Sequence, residues 1–199
     1  MAASVAVIMR TRDRPVLLSR AIASVCAQTF ADWHLIMVND GGDEAAAGDV
    51  IRAHSAELTG RLTLIGNDQP RGRAAALNQG IKASNSMYVA IHDDDDTWHP
   101  EFLARAAAHL DATADAAVAV RTEIVYERID GDKTTEVGRR VFCPDVHAFT
   151  LSDMLLHNRT VPISVLYRRA VHDEIGWYRE DLRLVEDLSL IHISEPTRP

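Results

Sequence analysis

The sequence predicts an α/β protein with a mostly parallel central sheet and helices on both of its faces. Three observations lead there. Short continuous apolar runs recur at residues 4–9, 34–39, 62–65 and 87–92. Stretches with helical spacing of apolar residues separate them. Polar clusters close three of the runs, at residues 11–14, 40–42 and 93–96. Continuous apolar runs suit strands buried on both faces, and strand–helix alternation implies parallel strands joined by right-handed crossovers.

The elements follow in order. SVAVIM at 4–9 is a buried strand, broken by the Thr11-Arg-Asp-Arg-Pro15 turn. Pro15 suits a first helical turn, and Asp13 is placed to cap it. Leu17, Leu18, Ala21, Ile22 and Val25 share one face of a helix over 15–27. HLIMVN at 34–39 is a second strand, stopped by Asp40-Gly41-Gly42. Residues 45–58 carry helix formers, 62–65 is a third strand, and Ala74, Leu77 and Ile81 mark a helix over roughly 72–83. MYVAIH at 87–92 is a fourth strand, and Pro100 opens a helix that turns Leu103, Ala106, Ala107 and Leu110 inward. After Asp115 the character changes. Residues 116–129 are strand-rich, and Asp130-Gly131 reads as a hairpin turn before 133–142. A short helix at 151–157, a strand at 163–167 and a short helix at 168–175 follow, the last stopped by Gly176.

Composition narrows the function. Asp and Glu number 29 against 21 Lys and Arg, a formal net charge of −8. That balance speaks against a nucleic-acid-binding face and a polybasic membrane patch. The two cysteines, Cys26 and Cys143, have no CxxC spacing, and the nine histidines form no HExxH, so reduced thiols and packing histidines are expected. The apolar start is followed, not preceded, by Arg10, Arg12 and Arg14, the reverse of a secretory signal. No run approaches the roughly 18 apolar residues of a transmembrane segment. The expected location is cytoplasmic, with a peripheral place at the inner membrane face left open. Neither GxGxxG, nor GxxxxGK[ST], nor GxSxG occurs.

In open parallel sheets ligands bind beyond the carboxyl ends of the strands. Asp93, Asp94, Asp95 and Asp96 stand at such an end. Crowded carboxylates repel unless a cation offsets them. Positions i and i+2 of a strand face one way, so Asp93 and Asp95 together suit Mn2+ or Mg2+ shared with diphosphate oxygens. A solvated acidic turn capping the helix at Pro100 is the other reading, and the run by itself leaves both open. Trp98, next to the aspartates, stands between sugar contact and packing. Trp33 and Trp177 read as packing, and Arg168-Arg169 as a surface pair.

The order of these clusters carries a resemblance. VAVIMRTRDRPVLLSRAIASVCAQTFADWHLIMVNDGGD resembles the N-terminus of family 2 glycosyltransferases, with its T-[YRF]-[ND]-R-P turn, A-Q-T helix end and D-D-G-S strand end. NDQPRGRAAALNQGIKASNSMYVAIHDDDDTWHPEFL resembles the family's N-R-G-x-x-A-A-x-N segment and D-x-D strand end, and ISVLYRRAVHDEIGWYREDLRLVED its later segment ending in an E-D pair. The resemblance spans residues 4–187. It implies a GT-A fold, Rossmann-like and typical of nucleotide-diphospho-sugar transferases, in a single domain over 1–187. A nucleotide-binding half would cover about 1–115 and an acceptor-side half about 116–187.

The resemblance also implies roles. Thr11, Arg12 and Arg14 lie in the first loop at the nucleotide, Asp40 reads the base, and Arg71 meets the base or the diphosphate. Asp93 and Asp94 lie at the nucleotide sugar, Asp95 is the principal metal ligand with Asp93 beside it, and Asp187, next to Glu186, is the general base. The implied reaction is inverting transfer of a sugar, commonly from UDP, to the hydroxyl of a saccharide, lipid-linked or other acceptor, as in polysaccharide biosynthesis. Three positions depart from the pattern: Asn39 replaces the first aspartate of D-D-G-S, Gly42 replaces its serine, and His92 stands where an apolar residue is common. LSLIHISEPTRP at 188–199 lacks the expected W-D-L-W-L-R-like helix and resembles translated sequencing-adapter DNA, so a non-native tail on a shortened chain is expected. A non-catalytic nucleotide-sugar-binding module and a nucleotidyltransferase are the alternatives. The second wants a phosphate loop of glycine and lysine, which residues 11–15 lack.

Overall fold

Strand β1 (Val5–Thr11) is central because both of its faces are apolar: every residue from Val5 to Met9 is buried. It pairs in parallel with β2 (Trp33–Asp40) and β4 (Tyr88–Asp93), and β2 pairs in parallel with β3 (Leu62–Asn67). Met9 stands level with Met37 on one side and His92 on the other. The computed structural model describes residues 3–131, 133–146 and 159–181. Beyond β4 come two short strands, β8 (Val165–Arg168), antiparallel to β4, and β5 (Ala117–Ala119), antiparallel to β8. The sheet order is β3-β2-β1-β4-β8-β5.

The alternation of side chains along β1 separates two cores. Val5, Val7 and Met9 join Leu35 and Met37 beneath α1 (Pro15–Cys26), α2 (Glu44–Ala53) and α5 (Phe102–Ala112). Ala6 and Ile8 join Ile36, Val89 and Ile91 beneath α4 (Arg73–Lys82). The α4 backbone lies so close that a Cβ on Gly80 would fall 2.7 Å from Ile8 Cγ2. Helices thus cover both faces, as expected.

Several expectations are refined. The 45–58 stretch is two helices, α2 and α3 (Ser55–Leu58), divided at His54. Asp13 does not cap α1. It takes a positive φ of 54°, and its carboxylate instead accepts the Asp43 N–H at 2.8 Å, tying the first turn to the start of α2. Pro162–Ser164 forms a turn of 3-10 helix, so the 163–167 strand begins only at Val165. Arg168 ends β8, and α6 (Val171–Ile175) stops at Gly176, whose φ of 85° suits glycine. Strands β6 (Glu123–Asp130) and β7 (Lys133–Val141) form the expected hairpin as a separate two-stranded ribbon. The helix expected at 151–157 lies outside the described residues.

Candidate functional site

The carboxyl ends of β2, β1 and β4 lie side by side. Asp40 ends β2, Thr11 ends β1 and Asp93 ends β4, so Asp40 and Asp93 flank β1 at two strand spacings, roughly 10 Å. Thr11 and Asp94 face each other: the hydroxyl donates to Asp94 Oδ2 at 2.8 Å, and both residues are buried. Arg14 Nη1 reaches Asp95 Oδ2 at 2.8 Å and Asp94 Oδ1 at 3.4 Å. Arg73 stands 3.8 Å from Asp93. Arg12 is exposed and pairs with Asp13 at 3.8 Å.

Asp40 is buried and holds the loop before α4. Its Oδ1 accepts from Asn67 Nδ2 at 3.0 Å and from the Arg71 N–H at 2.8 Å, and its Oδ2 accepts from the Gly72 N–H at 3.0 Å. The Arg71 side chain is exposed at this loop. Gly41 has a φ of 76°, and a Cβ there would meet Pro70 N at 2.5 Å, so the turn after β2 requires glycine. Two of the departures from the family pattern are bonded to each other. Asn39 Oδ1 accepts the Gly42 N–H at 3.1 Å, and Asn39 Nδ2 donates to the Gly42 carbonyl at 3.0 Å. A Cβ on residue 42 would fall 2.7 Å from that Oδ1, so this turn as built suits glycine.

The aspartate loop is also held from behind. Arg20 of α1 donates through Nη2 to the Asp95 carbonyl at 2.7 Å, and its Nη1 meets both carboxylate oxygens of Glu127 on β6. The third departure, His92, is fully buried. Its Nδ1 donates to the Asp93 carbonyl at 2.8 Å, its Nε2 accepts from Ser24 at 3.0 Å, and its ring meets Trp98 edge-on. Burial lowers its pKa to about 4, so the ring is neutral. Trp98 is core: it packs on Phe102 and donates to the Ile163 carbonyl at 2.7 Å. Gln28, of the A-Q-T motif, accepts the Leu103 N–H at 3.0 Å and supplies the bond at the start of α5. No aspartate of the acidic run caps that helix, which removes the capping reading.

The electrostatics are those of carboxylates in excess. Burial raises the Asp93 pKa; Arg73 opposes this, and Asp95 adds to it. Asp96 is pushed up to about 6, first by burial and then by Asp93 and Asp95. A divalent cation would relieve this crowding. Among the described residues no three His, Cys, Asp or Glu side chains are gathered for a metal. Carboxylate oxygens are donors of the kind that Mn2+ and Mg2+ take together with phosphate oxygens. Glu186 and Asp187 lie outside the described residues.

Sequence reasoning gave no role to Arg20, Asn67 or Asn78. Asn78 stands at the last position of the N-R-G-x-x-A-A-x-N segment. It donates to the Tyr178 carbonyl at 2.9 Å and accepts the Tyr178 N–H at 3.1 Å, which fastens the 176–180 segment to α4.

An open, mostly parallel sheet with helices on both faces is a GT-A type fold, and aspartates crowd the end of its strand β4. The chain belongs to glycosyl transferase family 2, whose sequence model matches residues 6–176. It is 27% identical over 178 residues to the uncharacterized glycosyltransferase YwdF of Bacillus subtilis (strain 168), covering 89% of this chain and 63% of that protein. Its fold matches S. aureus TarS 1–349 in complex with UDP-GlcNAc, with a TM-score of 0.71 at 19% identity, over 96% of this chain and 52% of that one. It also matches the mannosyltransferase PcManGT from Pyrobaculum calidifontis in complex with GDP-Man and Mn2+, with a TM-score of 0.67 at 17% identity, over 97% and 52%. The chain thus spans under two thirds of that relative and about half of each structure. No helix among the described residues is long and apolar enough to cross a membrane. Cys26 and Cys143 are free thiols, half-buried.

Proposed function

We propose that this chain carries the donor site of an inverting glycosyltransferase that moves a sugar from a UDP-sugar to an acceptor hydroxyl. The observation that carries this is the crowding of the Asp93, Asp94, Asp95 and Asp96 carboxylates at the end of β4, across β1 from Asp40 at the end of β2. Asp93 and Asp95 are the residues that would hold Mn2+ or Mg2+, and the ion would offset charge on the departing diphosphate. Thr11 and Asp94 set the floor of the site through their mutual bond. Arg14 is close enough to the aspartates to turn to the diphosphate. Asp40 retains about one free lone pair beside its three bonds, enough to accept an imide N–H of the base.

Asp187 takes the acceptor proton as the acceptor oxygen bonds to the anomeric carbon. The bond to the diphosphate breaks in the same in-line step, so configuration inverts. Asp187 follows Asp181 by six residues in sequence, and Asn78 anchors Tyr178 and Glu180, just before them, on α4. The acceptor is a saccharide or lipid-linked hydroxyl, handled by the half of the domain after residue 115. Turnover of UDP-sugars by the full-length protein tests this. Asp187→Asn should cut kcat by roughly 100-fold or more and leave donor affinity nearly intact. Equal loss of both would make Asp187 structural, and no loss would move the base elsewhere, to Glu186 first.

A further inference from the structure

A cleft of about 200 Å³ lies away from the aspartates. It lies between the β5–β6 link, the end of β7 and residues 159–164. We infer that this cleft is an anion subsite, and that it receives the phosphate or diphosphate group of the acceptor. The inference rests on the donor reading above and extends it to the acceptor.

Its chemistry is that of an anion site. Arg121 and Arg159 line it with Thr122, Thr160 and Ser164, and no carboxylate is among its described lining residues. Two guanidinium groups without a carboxylate make a positive island on a chain of net charge −8. Arg121 is steered by one bond from Nη1 to the Pro144 carbonyl at 3.0 Å. Arg159 Nε is buried with no hydrogen-bond partner. A buried charged donor without an acceptor is costly, and an anionic oxygen entering the cleft removes that cost. Phosphate suits the pair, because guanidinium forks match its oxygens.

Position gives the anion its role. β5 runs parallel to β4 with β8 between them, so the cleft opens at the same end of the sheet as Asp93. Two strand spacings put it roughly 10 Å away, a separation of the order of a sugar with its phosphate. The wall is joined to the aspartate loop: Trp98, beyond Asp96, donates to the Ile163 carbonyl, and the Val120 N–H bonds the Ser164 carbonyl at 2.9 Å. An acceptor sugar bridging the two places would put its phosphate on Arg121 and Arg159 and a hydroxyl towards the donor.

The test is calorimetry with glucose 1-phosphate on protein saturated with UDP and Mn2+, so that the donor site is filled. Saturable binding is expected. It should weaken roughly tenfold or more in Arg121→Gln and in Arg159→Gln, and recover in part in Arg159→Lys. UDP affinity and melting temperature should stay at wild-type values in all three, and glucose should not bind. Equal affinity in wild type and Arg159→Gln, or no binding by protein that does bind UDP, overturns the inference. If wild type fails to bind UDP, the donor reading falls, and the same titration without nucleotide or metal still decides the cleft. A short polyprenyl diphosphate sugar in micelles distinguishes the source. Tighter, arginine-dependent binding identifies a lipid-linked acceptor, and equal arginine-dependent binding a soluble sugar phosphate. Binding that ignores both arginines contradicts the subsite.

Discussion

Asp40 serves the turn before it serves any ligand. Its carboxylate satisfies Asn67 and two backbone N–H groups, so Asp40→Ala should destabilise the fold by about 1.5–3 kcal/mol. The same variant should lose discrimination between UDP and GDP. Urea melts and nucleotide titrations check the two effects separately, and intact discrimination in a destabilised variant would confine Asp40 to the turn. The buried histidines make a second case. His92 titrates at about 4, and burial also lowers His172, whose Nδ1 donates to the Gly176 carbonyl while its Nε2 accepts from the Tyr167 hydroxyl. A histidine pKa depressed by folding gives stability that is full above the unfolded value near 6.5 and is lost as pH falls towards the folded value. Asp96, raised to about 6, acts in the opposite sense: its destabilisation is full above pH 6 and is relieved as pH falls towards 3.8. The two partly offset in a global melt, so NMR titration of each imidazole is the right measurement. Both midpoints should fall below 6.5, that of His92 near 4, and protonation of either at its ordinary pKa would contradict this packing.

At the scale of elements, the loop after β4 is shaped by α1 and by the β6–β7 ribbon. Arg20 joins them through partners 75 and 107 residues away in sequence. That distance is why a lone arginine on an amphipathic helix gave no sign of its role. Gln28 and Asn78 were visible inside quoted motifs, yet their work, starting α5 and anchoring residues 176–180, depends on contacts that spacing cannot show. Arg20→Met should free the Asp95 carbonyl and weaken Mn2+-dependent nucleotide binding by roughly tenfold, leaving metal-free binding unchanged. Glu127→Gln should act in the same direction and more weakly. A metal dependence unaltered in both variants would reduce Arg20 to packing.

For the whole molecule, the first half was legible because its strands are continuous apolar runs and its helices are amphipathic. All but the first residue of 4–9 and of 87–92, and the whole of 34–39, fall within observed strands. The second half was less legible. β5 and β8 have three and four residues, too few for a period to declare itself, and the antiparallel direction of β8 is set by pairing with β4 rather than by its own side chains. The departures at Asn39 and Gly42 were visible as departures, but their mutual fit needed coordinates. The central claim is that Asp93 and Asp95 bind a nucleoside diphosphate through a divalent ion. Calorimetry of UDP with Mn2+ and with chelator, on wild type and on Asp95→Asn, tests it most directly. The account predicts binding that Mn2+ strengthens roughly tenfold or more, with most of that gain lost in Asp95→Asn. Equal UDP affinity with metal and with chelator in the wild-type chain would contradict it.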